Sequence, residues 1–206
     1  PTGMTAWLGL NHIGQPKQGD VVVVSAAGGA VGTIVGQLAK AAGCRTIGLV
    51  SSAEKAQWLT ETVGYDLAIS REAQPDLARA LADAAPSGVD LFFDNVGGSV
   101  LNTVMQQLQE GARLVLCGAI SQYEAEVEPV THTWELITKR ARMEGFMFSD
   151  YTDEFPAVIE ALERLLRSGE LKTFDQCYRG IEQTPTAFCD MMGGVSRGKC
   201  LVLLEG

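Results

Sequence analysis

Apolar and polar positions along this chain switch between two periods. Val21-Val22-Val23-Val24-Ser25 is an unbroken β-branched run, and a run apolar on both faces suits a central strand of a parallel sheet. From Ala30 to Ala42 the period changes: Val31, Ile34, Val35 and Leu38 share one helical face, and Gly43 stops the helix. The same switch recurs downstream. Arg45 to Val50 predicts a strand and Glu54 to Val63 a helix before Gly64. Asp66 to Ile69 predicts a short strand, and Pro75 to Asp83 a helix with proline in its first turn. Val89 to Asp94 reads as strand, Val100 to Leu108 as helix and Ala112 to Cys117 as strand. A polar loop from Ser121 to Pro129 leads to a helix over Trp134–Thr138. A sixth strand over Arg142–Phe148 and an amphipathic helix over Phe155–Arg167, ending at Gly169, complete the pattern.

Strands alternating with helices in this way predict an α/β fold: a doubly wound, six-stranded parallel Rossmann sheet, because parallel strands need crossover connections. The expected strand order is 3-2-1-4-5-6, with a ligand crevice beside strand 1. Past Leu171 the alternation stops. A helix-like Pro185–Met192 and a terminal strand Cys200–Leu204 remain. The expected division is a nucleotide-binding domain over 1–170 and a segment, 171–206, that belongs with another domain.

Composition narrows the function. The chain has 206 residues, 46% hydrophobic and 20% charged, as an ordinary soluble globular protein does, and a net charge of −9. So acidic a surface repels phosphate backbones and anionic lipid, which argues against nucleic acid and membrane as partners. No apolar run is long enough for a transmembrane helix, and no signal peptide opens the chain. Its five cysteines are scattered without a CxxC pair, which fits a reducing, cytoplasmic compartment. The two histidines, His12 and His132, lack ligand-like neighbours, so no metal site is expected. A start at Pro1-Thr2-Gly3 without Met reads as an internal cut, hence a fragment.

The strongest chemical signal is Ser25-Ala26-Ala27-Gly28-Gly29-Ala30-Val31-Gly32, between the first strand and first helix. It spells GxGxxG with Ala27 in the first slot. Gly29 lets backbone approach a pyrophosphate, Gly32 lets the helix pack against the sheet, and the free N–H groups at the helix start meet the phosphates. A tight β–α turn of small residues satisfies the same spelling, and methyltransferases use a similar loop. The end of strand 2 selects the cofactor. An NAD site keeps an acid there for the ribose, whereas this chain reads Ser51-Ser52-Ala53-Glu54-Lys55. Two hydroxyls and an ammonium suit a 2′-phosphate and so NADPH. The absent acid also argues against a methyltransferase.

Competing catalytic patterns fail on context. Ser52-Ala53-Glu54-Lys55 matches SxxK without SDN or KTG partners, and Gly194-Val195-Ser196-Arg197-Gly198 matches GxSxG but precedes a strand. None of the four tyrosines has Lys four positions on, which removes a short-chain dehydrogenase. Two strand ends remain, Asp94–Gly98 and Cys117–Tyr123. Both fall at the carboxyl edge, where Asn95, Ser121 and Tyr123 can hydrogen-bond a nicotinamide ribose or simply form ordinary turns.

These strings together resemble the medium-chain dehydrogenase/reductase superfamily. The closer resemblance is to its zinc-independent leukotriene B4 12-hydroxydehydrogenase / prostaglandin reductase / 2-alkenal reductase branch. It is carried by Gly3–Trp7, Val22–Gly32, Glu54-Lys55 with Trp58-Leu59, Phe93–Gly98, Leu116–Tyr123, Lys139–Phe146 and Gly198-Lys199. The resemblance implies NADPH-dependent reduction of a carbon–carbon double bond in a small enal or enone, with hydride delivered to the β-carbon and a proton to the α-carbon. It places Gly29, Ala30, Val31 and Gly32 at the pyrophosphate, and Lys55 at the 2′-phosphate with Ser51 and Ser52 beside it. Asn95 and Cys117, Gly118, Ala119, Ile120, Ser121 and Tyr123 surround the nicotinamide half, and Phe146, Met147 and Phe148 line it. Tyr123 is the candidate for steering or protonating the enolate. Arg71 stands where the family commonly has Tyr near the adenosine phosphate and can pair with that phosphate; Ser196 replaces a frequent Asn of the cofactor contact. The resemblance further implies that 171–206 is the returning part of a GroES-like catalytic domain whose main body precedes this sequence, and a homodimer through the sixth strand. A quinone oxidoreductase of the same superfamily fits the same signature, as does a cofactor-binding module with no catalysis of its own.

Overall fold

A computed structural model of the chain describes residues 1–123 and 127–204, so part of the polar stretch from Ser121 to Pro129 lies outside the described residues. Six parallel strands form the expected sheet: β1 (Val21–Val24), β2 (Arg45–Val50), β3 (Leu67–Ser70), β4 (Val89–Asp94), β5 (Leu108–Leu116) and β6 (Arg142–Gly145). Their order is β3-β2-β1-β4-β5-β6. The valine run explains why β1 is central. Val22 and Val24 point into one core layer with Leu91, Phe93 and Val115; Val23 points into the other with Ile47, Phe92 and Leu114. Helices α1 (Thr2–Leu8), α2 (Gly32–Ala41), α3 (Ala53–Trp58) and α7 (Phe155–Ser168) lie with the first layer. Helices α4 (Leu77–Ala84), α5 (Gly98–Met105) and α6 (Trp134–Thr138) lie with the second. Phe92 and Phe93 are fully buried back to back, each worth about 1.5–3 kcal/mol of transfer free energy.

The tail forms its own small unit. Strands β7 (Asp175–Arg179) and β8 (Lys199–Leu203) pair in parallel across α8 (Thr184–Met192). A parallel bridge between Gly29 and Gly198, with Gly198 N–H donating to Gly28 O at 2.8 Å, ties this unit to the loop after β1.

Several boundaries depart from the pattern. The sixth strand ends at Gly145 rather than Phe148, because Phe146 turns into the core beside Gly9 and Phe93 and the chain leaves the sheet as a 3-10 segment, Phe148–Glu154. The helix after β2 keeps α geometry only to Trp58 and continues as π turns over Leu59–Val63. Strand β5 begins four residues early, at Leu108, where a bulge between Val89 and Leu91 absorbs the extra length. Helix α1, the π segment Gly9–Gly14 behind it, and β7 have no counterpart in the pattern.

The close fit of α2 on the sheet gives a test. Tyr65 is buried, its hydroxyl donates to Gly32 O at 2.6 Å, and its ring occupies the space a Cβ on Gly36 would take, 2.1 Å away. Replacing a helical glycine by alanine ordinarily gains about 1 kcal/mol. Here Gly36→Ala instead loses about 1–3 kcal/mol through overpacking, read as a lower urea midpoint; a raised midpoint refutes the packing.

Candidate functional site

At the carboxyl edge of the sheet the chain diverges, β1 running into α2 on one face and β4 into α5 on the other, and a cleft of about 400 Å³ opens there. Its floor is the glycine loop. Ser25 N–H donates to Phe93 O and Ala27 N–H to Leu49 O, both at 3.1 Å, so the loop is anchored on each side before it turns. Gly32 packs where no side chain fits: a Cβ would lie 2.6 Å from Ala27 Cα. Among the described residues, the N–H groups of Ala30, Val31 and Gly32 have no hydrogen-bond partner, and α2 carries no side-chain cap. Gly28, Gly29 and Ala30 lie on the cleft wall. Unpaired N–H groups at the head of a helix are a ready anion cradle.

The end of β2 supplies the charge. Ser52 Oγ caps α3 by accepting Lys55 N–H at 3.3 Å, while Ser51 Oγ donates to Gly194 O at 3.1 Å. Lys55 is only 8% exposed. Its Nζ donates to Gly194 O at 2.6 Å and also to Ser196 O. Burial lowers the Lys55 pKa, and the Arg197 charge nearby lowers it further. An ammonium has three donors, so one remains for the cleft, which Lys55 lines together with Ser51, Arg71 and Ser196. The carbonyls are part of the reason a lysine is tolerated there.

The loop after β4 is held by a carboxylate that sequence reasoning missed. Asp94, fully buried, accepts Ser25 Oγ–H at 2.7 Å, Val96 N–H at 3.0 Å and Gly97 N–H at 3.0–3.1 Å. Burial raises its pKa, and those donors partly offset the rise. An acid closing an otherwise apolar strand, Leu91-Phe92-Phe93-Asp94, was the available signal. Asn95 turns its amide back to Ser25 O at 2.8 Å rather than onto the cleft wall. The loop after β5 zips onto this one: Cys117 and Gly118 N–H donate to Asp94 O, and Ser121 N–H and Oγ to Val96 O.

Of the nicotinamide-side residues, Ile120 and Ser121 line the cleft, while Cys117, Gly118 and Ala119 lie outside its wall. Tyr123 is 67% exposed and is off the wall too. Phe146 packs in the core, Met147 is exposed, and Phe148 stacks on Phe155 at 5.9 Å. The other lip comes from the tail: Met191 to Gly194, then Gly198, Lys199 and Cys200. Of this lip the family resemblance names Ser196 and Gly198-Lys199, while Met191 to Gly194 go unread. Among the described residues no group of three or more His, Cys, Asp or Glu could hold a metal ion, and no helix is long and apolar enough to cross a membrane.

The family model described as "Zinc-binding dehydrogenase" matches residues 30–164. This chain belongs to that family. It stands in the medium-chain dehydrogenase/reductase superfamily, and it is similar to alkenal, prostaglandin and curcumin reductases. It is 43% identical over 206 residues to YfmJ of Bacillus subtilis (strain 168), covering 98% of this chain and 60% of that one. It is 39% identical over 204 residues to the 2-alkenal reductase (NADP(+)-dependent) of Nicotiana tabacum, again covering 98% and 60%. The crystal structure of CurA in complex with NADPH from Vibrio vulnificus superposes with a TM-score of 0.94 at 39% identity, covering all of this chain and 63% of that one. The chain therefore spans about 60% of the length of the curated relatives it matches.

Burial at the site predicts thiol behaviour. Burial, with the Asp94 charge adding to it, pushes Cys117 up to about 12; burial, with Asp20 adding to it, pushes Cys44 up to about 11. Only the thiolate is alkylated, so iodoacetamide at pH 8 labels the exposed Cys177 and Cys189 first and leaves Cys117 and Cys44 slow. Peptide mass analysis reads the order; early labelling of Cys117 contradicts its placement.

Proposed function

We propose that this chain is the NADP(H)-binding part of an oxidoreductase that saturates the carbon–carbon double bond of α,β-unsaturated aldehydes or ketones without zinc. The observation that carries the reading is the pairing of an open glycine loop with a buried ammonium and a serine at the end of β2. The donor set fits the cofactor: unpaired N–H groups and a Cβ-free approach suit a pyrophosphate, and Lys55 suits a 2′-phosphate. When bound, NADPH supplies the hydride that reaches the β-carbon of the substrate. The protein does the rest by position and polarity.

In this reading Ala30, Val31 and Gly32 hold the pyrophosphate through backbone N–H groups. Lys55 keeps two carbonyls and gives its third N–H to the 2′-phosphate, with Ser51, Ser52 and Ser196 around it and Arg71 adding positive charge from the wall. Ile120 and Ser121 bound the nicotinamide half; Gly118 and Ala119 set their height, and Asn95 and Cys117 act behind them as supports for the loop pair. Phe146 fixes the start of Met147-Phe148, which closes the nicotinamide side. Tyr123, exposed beside Ser121, steers or protonates the developing enolate of the substrate. Residues 1–170 make the nucleotide domain, and 171–206 belong with the substrate domain of a protein of the relatives' length. The edge of β6, paired among the described residues with β5 alone, joins a second copy; a dimer mass for the full-length protein in sedimentation is the expected result, and a monomer refutes that contact.

Fluorescence titration tests the cofactor assignment. NADPH binds more tightly than NADH by about tenfold or more, the worth of a charge-assisted hydrogen bond, and Lys55→Ala erases the difference. Equal affinity for both cofactors in the unaltered chain removes the phosphate assignment. With the full-length protein, loss of an enal's conjugated absorbance at the expense of NADPH supports the substrate class. Turnover of quinones alone would replace it.

A further inference from the structure

Two acids stand at the rim where β2 gives way to α3, the region in which a site for an unphosphorylated ribose keeps a carboxylate. Glu72 is already engaged, its Oε2 accepting Ala53 N–H at 3.4 Å. Glu54, in the first turn of α3 and immediately before Lys55, has a largely exposed side chain fixed by a salt bridge to Arg197 Nη2. Arg197 is itself well placed. Its backbone N–H donates to Gln176 Oε1 at 2.9 Å, and its guanidinium lies 5.9 Å from the centre of the Trp58 ring. Trp58 in turn meets Phe174 edge-on at 5.4 Å. The residues on either side of Arg197, Ser196 and Gly198, both line the cleft.

We propose that Arg197 is a specificity-determining, positioning residue for the 2′ end of the cofactor: it holds the Glu54 carboxylate away from the ribose and cancels its charge, so the cleft accepts a 2′-phosphate. The inference rests on the NADP(H) reading above and assigns to the tail a role in it. Without the guanidinium, Glu54 repels a 2′-phosphate and can accept a hydrogen bond from a ribose 2′-hydroxyl instead. One surface charge thereby decides whether the acid beside Lys55 counts. The effect is modest because the pair is solvent-exposed, and it is specific because only the 2′ substituent feels it.

The test compares the unaltered chain with Arg197→Gln, Glu54→Gln and the double variant. Each is titrated by fluorescence with NADPH and NADH, and by calorimetry with 2′,5′-ADP and 5′-AMP. Arg197→Gln weakens NADPH and 2′,5′-ADP by about three- to fivefold and leaves NADH and 5′-AMP unchanged or tighter. Glu54→Gln alone changes the NADPH/NADH ratio by less than about twofold, since its charge is already cancelled. The double variant recovers the ratio of the unaltered chain, and Arg197→Lys keeps it. Equal weakening of phosphorylated and unphosphorylated ligands by Arg197→Gln, or a loss that Glu54→Gln does not restore, overturns the proposal and leaves Arg197 as a clamp on the tail. If the unaltered chain does not prefer NADPH, the cofactor reading fails first and takes the proposal with it.

Discussion

The sheet opens where it does because one buried carboxylate ties its two diverging halves together. Asp94 gathers the Ser25 hydroxyl and the Val96 and Gly97 N–H groups. Ser25 Oγ then accepts Asn95 N–H at 2.8 Å, and Asn95 returns its amide to Ser25 O. A fully buried acid is costly unless such donors meet it, and the direction of its pKa shift shows that part of the cost remains. What it secures is a fixed separation between the loop that leads to α2 and the loop that leads to α5. The loop after β5 hangs on the same frame through the Asp94 and Val96 carbonyls. Each wall of the cleft on the β4 and β5 side is referenced to this one side chain.

The other wall follows a different logic. A strongly acidic chain has to make a place for an anion, and it does so by burying one cation, Lys55, in a wall that also carries the exposed Arg71 and Lys199. Lys55 is withdrawn under the 194–196 segment, where the Gly194 and Ser196 carbonyls accept hydrogen bonds from its Nζ. The hydroxyl of Ser51 shares the same Gly194 carbonyl. Low local polarity strengthens whatever the remaining N–H meets, which is how one ammonium can stand against a net charge of −9.

Most of the fold was legible because the chain is locally consistent. The valine run, the regular change from period 2 to period 3.6, and glycine stops at Gly43, Gly64 and Gly169 each point to the same sheet. What escaped notice depends on distant neighbours. The π segment Gly9–Gly14 behind α1 goes unread until Gly9 is seen to make room for the Phe146 ring, whose Cζ would lie 2.5 Å from a Cβ there. Strand β7, Asp175-Gln176-Cys177-Tyr178-Arg179, never becomes fully buried on either face, so no apolar alternation announced it. The glycine loop and the Ser51–Lys55 segment were readable because each is a contiguous string with its own chemistry. Of the tail's share, Ser196 was reached only through the family resemblance, and the Lys55–Gly194 contact was not readable at all, the two being partners across 139 positions. Asn95 illustrates the opposite error: its type suggests ligand contact, but its geometry serves the backbone of β1.

The distance between those partners along the chain bears on how the molecule comes into being. On the ribosome the glycine loop, β2 and α3 emerge well before residues 191–200, which form the far lip of the cleft. A ligand stabilises a fold only once its site exists. Until those residues emerge, any registering of the six-stranded sheet rests on its own two hydrophobic layers, with Lys55 lacking its carbonyls. Small molecules can contribute only to the last step, the seating of the tail, and the early nascent chain depends on its own core and on whatever chaperones attend it.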